Sequence, residues 1–195
     1  MSLQPEADSI SVACRKDSPQ GTLRRRVFGL FLTVVAFMPS AAISETASDY
    51  DICGDEDANI QDRIRTCTQI IADSPLATNQ ADAYRNRGAA YLDRGQYDFA
   101  IADETKATGL NPQDAIAYNL RAWSFFKTGE LKKALADADK ALSINPEFAY
   151  ALDTRGQIYE ALGMKKEAIQ DYKKALAIDP ELDESKAGLG RLGGQ

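Results

Sequence analysis

The chain has 195 residues, with 23 lysines and arginines, 29 acidic residues and no histidine, and its formal net charge is −6. This length allows one ordinary domain or a short array of repeats, and 44% hydrophobic with 27% charged residues is typical of a folded protein. The acidic balance argues against nucleic acid as a partner, and the lack of histidine removes the commonest general base and zinc ligand.

The first predicted element is a secretory signal peptide within residues 1–44. Three arginines precede a twelve-residue apolar run from Val27 to Met38, and Pro39 and small residues follow the run. A helix of that length is about 18 Å long, shorter than the roughly 30 Å core of a bilayer, which disfavours a transmembrane anchor. A buried core helix is the other alternative. We therefore predict a mature chain without a stable membrane span, periplasmic or secreted in a Gram-negative bacterium.

An acidic stretch in the next segment, residues 45–80, resembles a calcium loop only in its first half. Asp55, Asp57 and Asn59 have the spacing of EF-hand ligands. However, Ile60 occupies the place of the turn glycine, and threonine that of the bidentate glutamate. Zinc would need more ligands than two thiols without histidine can provide. We therefore expect neither a metal nor a cofactor.

Cys53 and Cys67 are instead predicted to form a disulfide. They are the two cysteines that remain once Cys14 leaves with the signal segment, and a secreted protein folds in an oxidising compartment. The sequence has no Cys-x-x-Cys redox motif. In one continuous helix the two residues would be about 21 Å apart, whereas bridged Cα atoms lie within about 7 Å. The chain must therefore double back, and residues 45–80 are predicted to form a bridged N-terminal helical cap.

Three consecutive segments of 34 residues then repeat one pattern. The segments are 81–114, 115–148 and 149–182. They share arginine at place seven, a small residue at eight, an aromatic residue at eleven, glycine at fifteen, alanine at twenty and twenty-seven, and proline at thirty-two. The glycine is expected to end a first helix and the proline a second one. Each segment is thus a helical hairpin that buries its apolar faces only by stacking on its neighbours.

This pattern resembles the tetratricopeptide repeat. The resemblance implies an all-α, right-handed solenoid of antiparallel helix pairs, with three repeats, the N-terminal cap and a short C-terminal capping helix in residues 183–195. The chain departs from the usual repeat in two respects. Arginine replaces leucine at place seven, and place twenty-four holds Glu104 and Ala138 before Tyr172 restores an aromatic residue. We expect both departures to loosen individual contacts.

Tetratricopeptide arrays are in general protein-interaction scaffolds whose first helices line a concave groove. The resemblance therefore implies a non-catalytic adaptor for a protein or peptide partner. Carried over to this chain, the predicted groove residues are Arg85, Leu92, Ile116, Asn119, Trp123, Phe126, Tyr150 and Asp153. The three aromatic residues are expected to anchor the partner, because aromatic side chains dominate binding hot spots. Arg85 and Asn119 are expected to contact its polar groups, and the alternative for Trp123 is packing against a neighbouring unit.

Chaperone-binding arrays carry a carboxylate clamp that this chain lacks. The ninth places hold Ala89, Trp123 and Gln157, and the third unit offers Tyr150 and Thr154 instead of basic residues. The main alternative function is a structural protein of the cell envelope that associates with itself as a homo-oligomer. An enzyme with a carboxylate-based site is a distant alternative.

Overall fold

The computed structural model describes residues 47–193, and this part of the chain folds into nine α-helices without a strand. The helices are α1 (Ala47–Gly54), α2 (Ile60–Asp73), α3 (Ala77–Asp93), α4 (Tyr97–Leu110), α5 (Ala115–Lys127), α6 (Leu131–Ile144), α7 (Ala149–Ala161), α8 (Lys165–Ile178) and α9 (Asp183–Leu192). The all-α prediction is confirmed. The predicted signal segment, residues 1–44, lies outside the described residues. No helix in 47–193 is both long enough and apolar enough to span a bilayer.

Glycine forms the turn inside each repeated helical hairpin. Gly95, Gly129 and Gly163 have φ angles of 67°, 82° and 76°, in the left-handed region that costs a residue with a Cβ atom free energy. Their amides donate hydrogen bonds to carbonyls at the end of the preceding helix. The predicted role of the recurrent glycine is confirmed.

The helices stack as a solenoid whose curvature follows from their contacts. Each helix packs against the next one in the chain, and in addition α1 contacts α3, α3 contacts α5, α5 contacts α7 and α7 contacts α9. Among the described residues, no even-numbered helix contacts another even-numbered helix. The odd-numbered helices are therefore closer together and lie on the inner side of the curve. We call the surface lined by α3, α5, α7 and α9 the concave groove.

The N-terminal cap is closed by the predicted disulfide. Cys53 and Cys67 are bridged, their Cα atoms are 5.0 Å apart, and both side chains are buried against Ile70 and Ala83. The chain doubles back through residues 55–59, and the Asn59 side chain caps the start of α2. The bridge thus fastens the short helix α1 to the rest of the array.

The last residues of the predicted cap belong to the first helix of the first repeat. Residues 77–80 form the first turn of α3, so this helix begins before residue 81. No proline or glycine interrupts this turn, and the Gln80 amide donates hydrogen bonds to the carbonyls of Ser74 and Ile71. These bonds hold the turn against the end of α2.

The arginine at place seven does not loosen the repeats, contrary to our expectation. In each unit its guanidinium makes two hydrogen bonds to an aspartate on the second helix, at distances of 2.6–3.0 Å. The pairs are Arg87–Asp103, Arg121–Asp137 and Arg155–Asp171. Each arginine also donates to a side chain on the preceding even-numbered helix. A ladder of paired charges therefore joins the two helices of each unit, and further hydrogen bonds from the same arginines, two to threonine hydroxyls and one to Asp139, join each unit to the helix before it.

The residue at place eight matches the size of the residue opposite it at place twenty-four, whereas the loosening of individual contacts expected there stays a prediction. Ala122 faces Ala138 in the middle unit, whereas glycine faces the larger side chains of the other two units. A Cβ atom on Gly156 would lie 2.6 Å from Cε1 of Tyr172, well inside van der Waals contact. A Cβ atom on Gly88 would likewise overlap the carboxyl group of Glu104.

Candidate partner-binding groove

The centre of the concave groove is an aromatic cluster on α5. Trp123 is 9% exposed and belongs to a buried cluster with Leu92 of α3 and Leu120. Its ring centroid is 5.2 Å from that of Phe126, and the ammonium nitrogen of the exposed Lys127 is 5.4 Å from its ring centroid. Trp123 therefore packs against the neighbouring unit, which is the alternative to anchoring a partner that the sequence left open for this residue.

The apolar rim of this cluster is more accessible. Ile116 and Phe126 are half-buried and pack against the cluster from the same helix. With Asn119 and Trp123 they recur at helical spacing along one face of α5. A partner segment laid along this face would meet Ile116 and Phe126 first.

Two polar atoms at the centre of the groove have no hydrogen-bond partner among the described residues. They are Oδ1 of Asn119, a residue that is 3% exposed, and Nε1 of Trp123. One is an acceptor and the other a donor, and they belong to side chains one helical turn apart. Leaving a buried polar atom without a hydrogen bond costs about 1–3 kcal/mol. The two unbonded atoms therefore lower the stability of the folded protein relative to a groove in which both were hydrogen-bonded.

The charges at the N-terminal end of the groove are paired within the chain. Nη1 of Arg85 is 2.8 Å from Oδ2 of Asp114 and 3.2 Å from Oδ1 of Asp82. The other oxygen of Asp114 accepts hydrogen bonds from the amides of Ile116 and Ala117 and so caps α5. Arg85 therefore fixes the start of α5 and is not an uncompensated cation.

At the C-terminal end, the capping helix α9 covers Asp153. The hydroxyl of Ser185 donates a 2.5 Å hydrogen bond to Oδ1 of Asp153, and the amide of Gln157 donates to Oδ2. Burial raises the pKa of Asp153 to about 6, against the effect of these two hydrogen bonds. Tyr150, also predicted to line the groove, is 8% exposed and packs edge-on against Phe148.

A second contact holds α9 in place through Glu160. Both oxygens of Glu160 accept hydrogen bonds from the Arg191 guanidinium at 2.9 Å, and Oε2 also accepts one from the Tyr172 hydroxyl at 2.8 Å. The Arg191 hydrogen bonds lower the pKa of Glu160, whereas burial raises the pKa of Tyr172. The ring of Tyr172 lies between Gly156 of α7 and Gly188 of α9. The predicted C-terminal capping helix thus closes the groove at this end.

The structure places the eight predicted groove residues in two groups. Leu92, Asn119, Trp123, Tyr150 and Asp153 are buried, whereas the other three, Arg85, Ile116 and Phe126, are half-buried. Their role in binding a partner stays a prediction. Within residues 47–193, no three histidine, cysteine, aspartate or glutamate side chains are placed to hold a metal ion.

Comparison with protein families gives a match for the second half of the array. The tetratricopeptide repeat matches residues 115–148 and residues 149–182. These two helical pairs are therefore tetratricopeptide repeats. A comparison with curated proteins finds no match.

Solved tetratricopeptide domains have a similar fold. The Arabidopsis OM64 TPR domain is 28% identical with a TM-score of 0.59, and the similarity covers 60% of this chain and 98% of that domain. The first TPR of Spaghetti (RPAP3), bound to the HSP90 peptide SRMEEVD, is 27% identical over 60% of this chain and 92% of that one, with a TM-score of 0.57. MamA is 24% identical over 75% of this chain and 81% of its own, with a TM-score of 0.62, and is similar in fold alone.

Proposed function

We propose that this protein is a non-catalytic adaptor of a bacterial cell envelope that binds a segment of a partner protein in its concave groove. The observation that carries the proposal is the aromatic centre on α5 with an apolar rim, Ile116 and Phe126, that is only half-buried. A tetratricopeptide domain similar to this chain has been solved with a bound peptide. Aromatic side chains bury a large area at a low cost in conformational entropy, which suits a binding surface.

The charge pattern of the groove favours a partner segment with apolar side chains. The peptide on the similar domain is acidic and ends in aspartate, and an acidic segment needs uncompensated cations. Here Arg85 is engaged with Asp82 and Asp114, and Arg191 with Glu160. Binding would therefore depend on apolar contacts with α5 more than on charge.

Two single substitutions, each of which removes one aromatic ring, test the groove. Phages that display random twelve-residue peptides are selected on the immobilised mature chain, and recovered peptides are resynthesised for fluorescence anisotropy. Phe126→Ala should lower the affinity of these peptides at least tenfold, because it removes contact area at the proposed site. Phe99→Ala removes the same ring from α4, where Phe99 is 59% exposed, and should change the affinity less than twofold. Equal effects of the two variants, or no recovered peptide, would contradict the proposal.

The proposed location rests on two further features. One is the signal-like segment within residues 1–44, and the other is the buried Cys53–Cys67 bridge, which suits an oxidising compartment. Mass spectrometry of the native protein should find an N-terminus near residue 45 and neither cysteine open to alkylation without a reductant. An intact N-terminus with both thiols alkylated would exclude an envelope location.

A further inference from the structure

We infer that the convex side of the array, where α6 and α8 face outward, docks on an anionic lipid bilayer. This side lies opposite the concave groove, so the inference goes beyond the binding of a partner segment there. It concerns seven lysines on two helices of an acidic chain. We call these lysines the basic face: Lys132, Lys133, Lys140, Lys165, Lys166, Lys173 and Lys174.

The charge of the outer helices reverses along the array. α2 and α4 together contain three basic and five acidic residues, whereas α6 and α8 contain seven basic and four acidic residues. Three of these four acidic side chains are paired with arginines of α5 and α7, so their charge is balanced within the array: Asp137, Asp139 and Asp171. The second half of the convex side therefore carries excess positive charge, although the whole chain has a net charge of −6.

The lysines of the basic face are available to an outside partner. Four of them are exposed and form no ion pair within residues 47–193: Lys132, Lys165, Lys166 and Lys174. Lys133 pairs with Glu130, but both side chains are exposed, and an exposed ion pair contributes little stability. A lysine ammonium is a point charge on a flexible stem, which suits a layer of mobile phosphate groups better than one fixed anion. The basic face can therefore contact an anionic surface without breaking a buried contact.

Exposed aliphatic side chains lie beside the lysines at both ends of α8. Leu162 and Met164 precede the helix and are 39% and 37% exposed, and Ile178 is its last residue and is 45% exposed. Clustered lysines next to aliphatic groups are typical of helices that lie in a bilayer interface, where the aliphatic groups enter the headgroup region. A single-stranded nucleic acid would instead be met by aromatic side chains on which its bases stack. The aliphatic groups therefore favour lipid as the anionic partner.

Two lysines at the same place of different repeats test the charge. Lys174 of α8 and Lys106 of α4 both stand at place twenty-six, and both are exposed. The mature chain is mixed at low salt with vesicles of equal parts phosphatidylglycerol and phosphatidylcholine, and the bound fraction is measured by sedimentation. Lys174→Gln should weaken binding about fivefold, the contribution of one lysine near an anionic surface. Lys106→Gln should change binding less than twofold, because α4 lies outside the basic face.

Two aliphatic residues at place thirty test the apolar contact in the same way. Ile178 of α8 and Leu110 of α4 are 45% and 40% exposed and each ends its helix. Ile178→Gln should weaken binding to the mixed vesicles about fivefold, because it removes apolar area from the interface. Leu110→Gln should change binding less than twofold. All four substituted side chains are exposed, so the variants should keep the melting temperature of the original protein, measured by circular dichroism.

The lipid and salt dependence of the original protein provides a test without a variant. Vesicles of phosphatidylcholine alone should bind it at least tenfold more weakly than the mixed vesicles, and added salt should weaken binding to the mixed vesicles by screening the lysines. Equal binding to both kinds of vesicle, or equal losses in Lys174→Gln and Lys106→Gln, would overturn the inference. Binding to polyglutamate or duplex DNA without binding to the mixed vesicles would also overturn it, since the partner would then be an acidic protein or a nucleic acid. These results leave the concave groove untested, because the phage-selected peptides and Phe126→Ala address it separately.

Discussion

Replacing Gly156 by alanine should destabilise the array, although alanine is the better helix former. Tyr172 is fully buried, and a Cβ atom at residue 156 would lie 2.6 Å from Cε1 of its ring, where carbon atoms normally approach to about 3.5–4.0 Å. The ring cannot retreat, because Gly188 of α9 packs against its other side. Its hydroxyl is also bonded to Glu160 at 2.8 Å.

The expected magnitude is the balance of one stabilising effect and two destabilising ones. Removal of a glycine from a helix interior gains about 1 kcal/mol, whereas overpacking of a close-packed core costs about 1–3 kcal/mol. Displacement of the Tyr172 hydroxyl from Glu160 adds about 1 kcal/mol to the cost. We expect the free energy of unfolding to fall by about 1–3 kcal/mol in Gly156→Ala. The measurement is urea unfolding followed by far-ultraviolet circular dichroism.

Gly109 provides the matched control. It also lies within a helix, α4, but no heavy atom would approach a Cβ atom there within 4 Å. Gly109→Ala should therefore stabilise the protein by about 0.5–1 kcal/mol. In a Tyr172→Ala background the clash is absent, and Gly156→Ala should become stabilising too. Equal stability of Gly156→Ala and Gly109→Ala in the original background would refute the argument of matched sizes at places eight and twenty-four.

Three further predictions concern charge and the disulfide. Asp153→Asn should not change the free energy of unfolding below pH 4 but should raise it by up to about 3 kcal/mol above pH 6. Burial raises the pKa of Asp153 from 3.8 to about 6, so the original protein loses stability as the pH rises through that value. A difference between the two proteins that does not vary between pH 4 and pH 7.5 in urea unfolding would contradict this. Arg121→Lys should lower the free energy of unfolding by about 1–3 kcal/mol, because lysine cannot make both hydrogen bonds to Asp137; an unchanged melting temperature would show that the ladder is dispensable. Replacing Cys53 and Cys67 by serine should cost about 3 kcal/mol for a loop of this length, and dithiothreitol should destabilise the original protein but not the variant.

The features that the sequence predicted are those that depend on local rules. The helical hairpins follow from the recurrent glycine and proline, since each residue imposes its own backbone conformation. The disulfide between Cys53 and Cys67 followed from the choice of partners and from the need for the chain to double back. Both features are present in the structure.

The arginine ladder was missed because it depends on how two helices cross. Arg121 and Asp137 are sixteen residues apart, and only the packing of α5 against α6 brings them together. A signal was nevertheless available, because an aspartate recurs at place twenty-three whenever arginine stands at place seven. A paired recurrence of opposite charges indicates a contact more strongly than either residue alone.

The burial of the groove residues could not be predicted for a different reason. Place nine of a repeat lies on the inner side of the solenoid, but its exposure depends on how tightly adjacent first helices approach. Here Leu92 of α3 and Trp123 of α5 pack into one cluster, which leaves the indole 9% exposed. Place numbers predict on which side of the array a residue lies, whereas the neighbouring side chains decide how much of it a partner can reach.

The most direct test of the partner-binding groove uses the fluorescence of Trp123, the single tryptophan of the chain. The mature protein is titrated with a phage-selected peptide that contains no tryptophan, and the emission is recorded beside the anisotropy of a labelled copy of the peptide. We expect the emission of Trp123 to change and saturate at the same peptide concentration as the anisotropy, because the segment contacts the centre of the groove. Saturable anisotropy without a change in Trp123 emission would place the bound peptide elsewhere and contradict the proposed function.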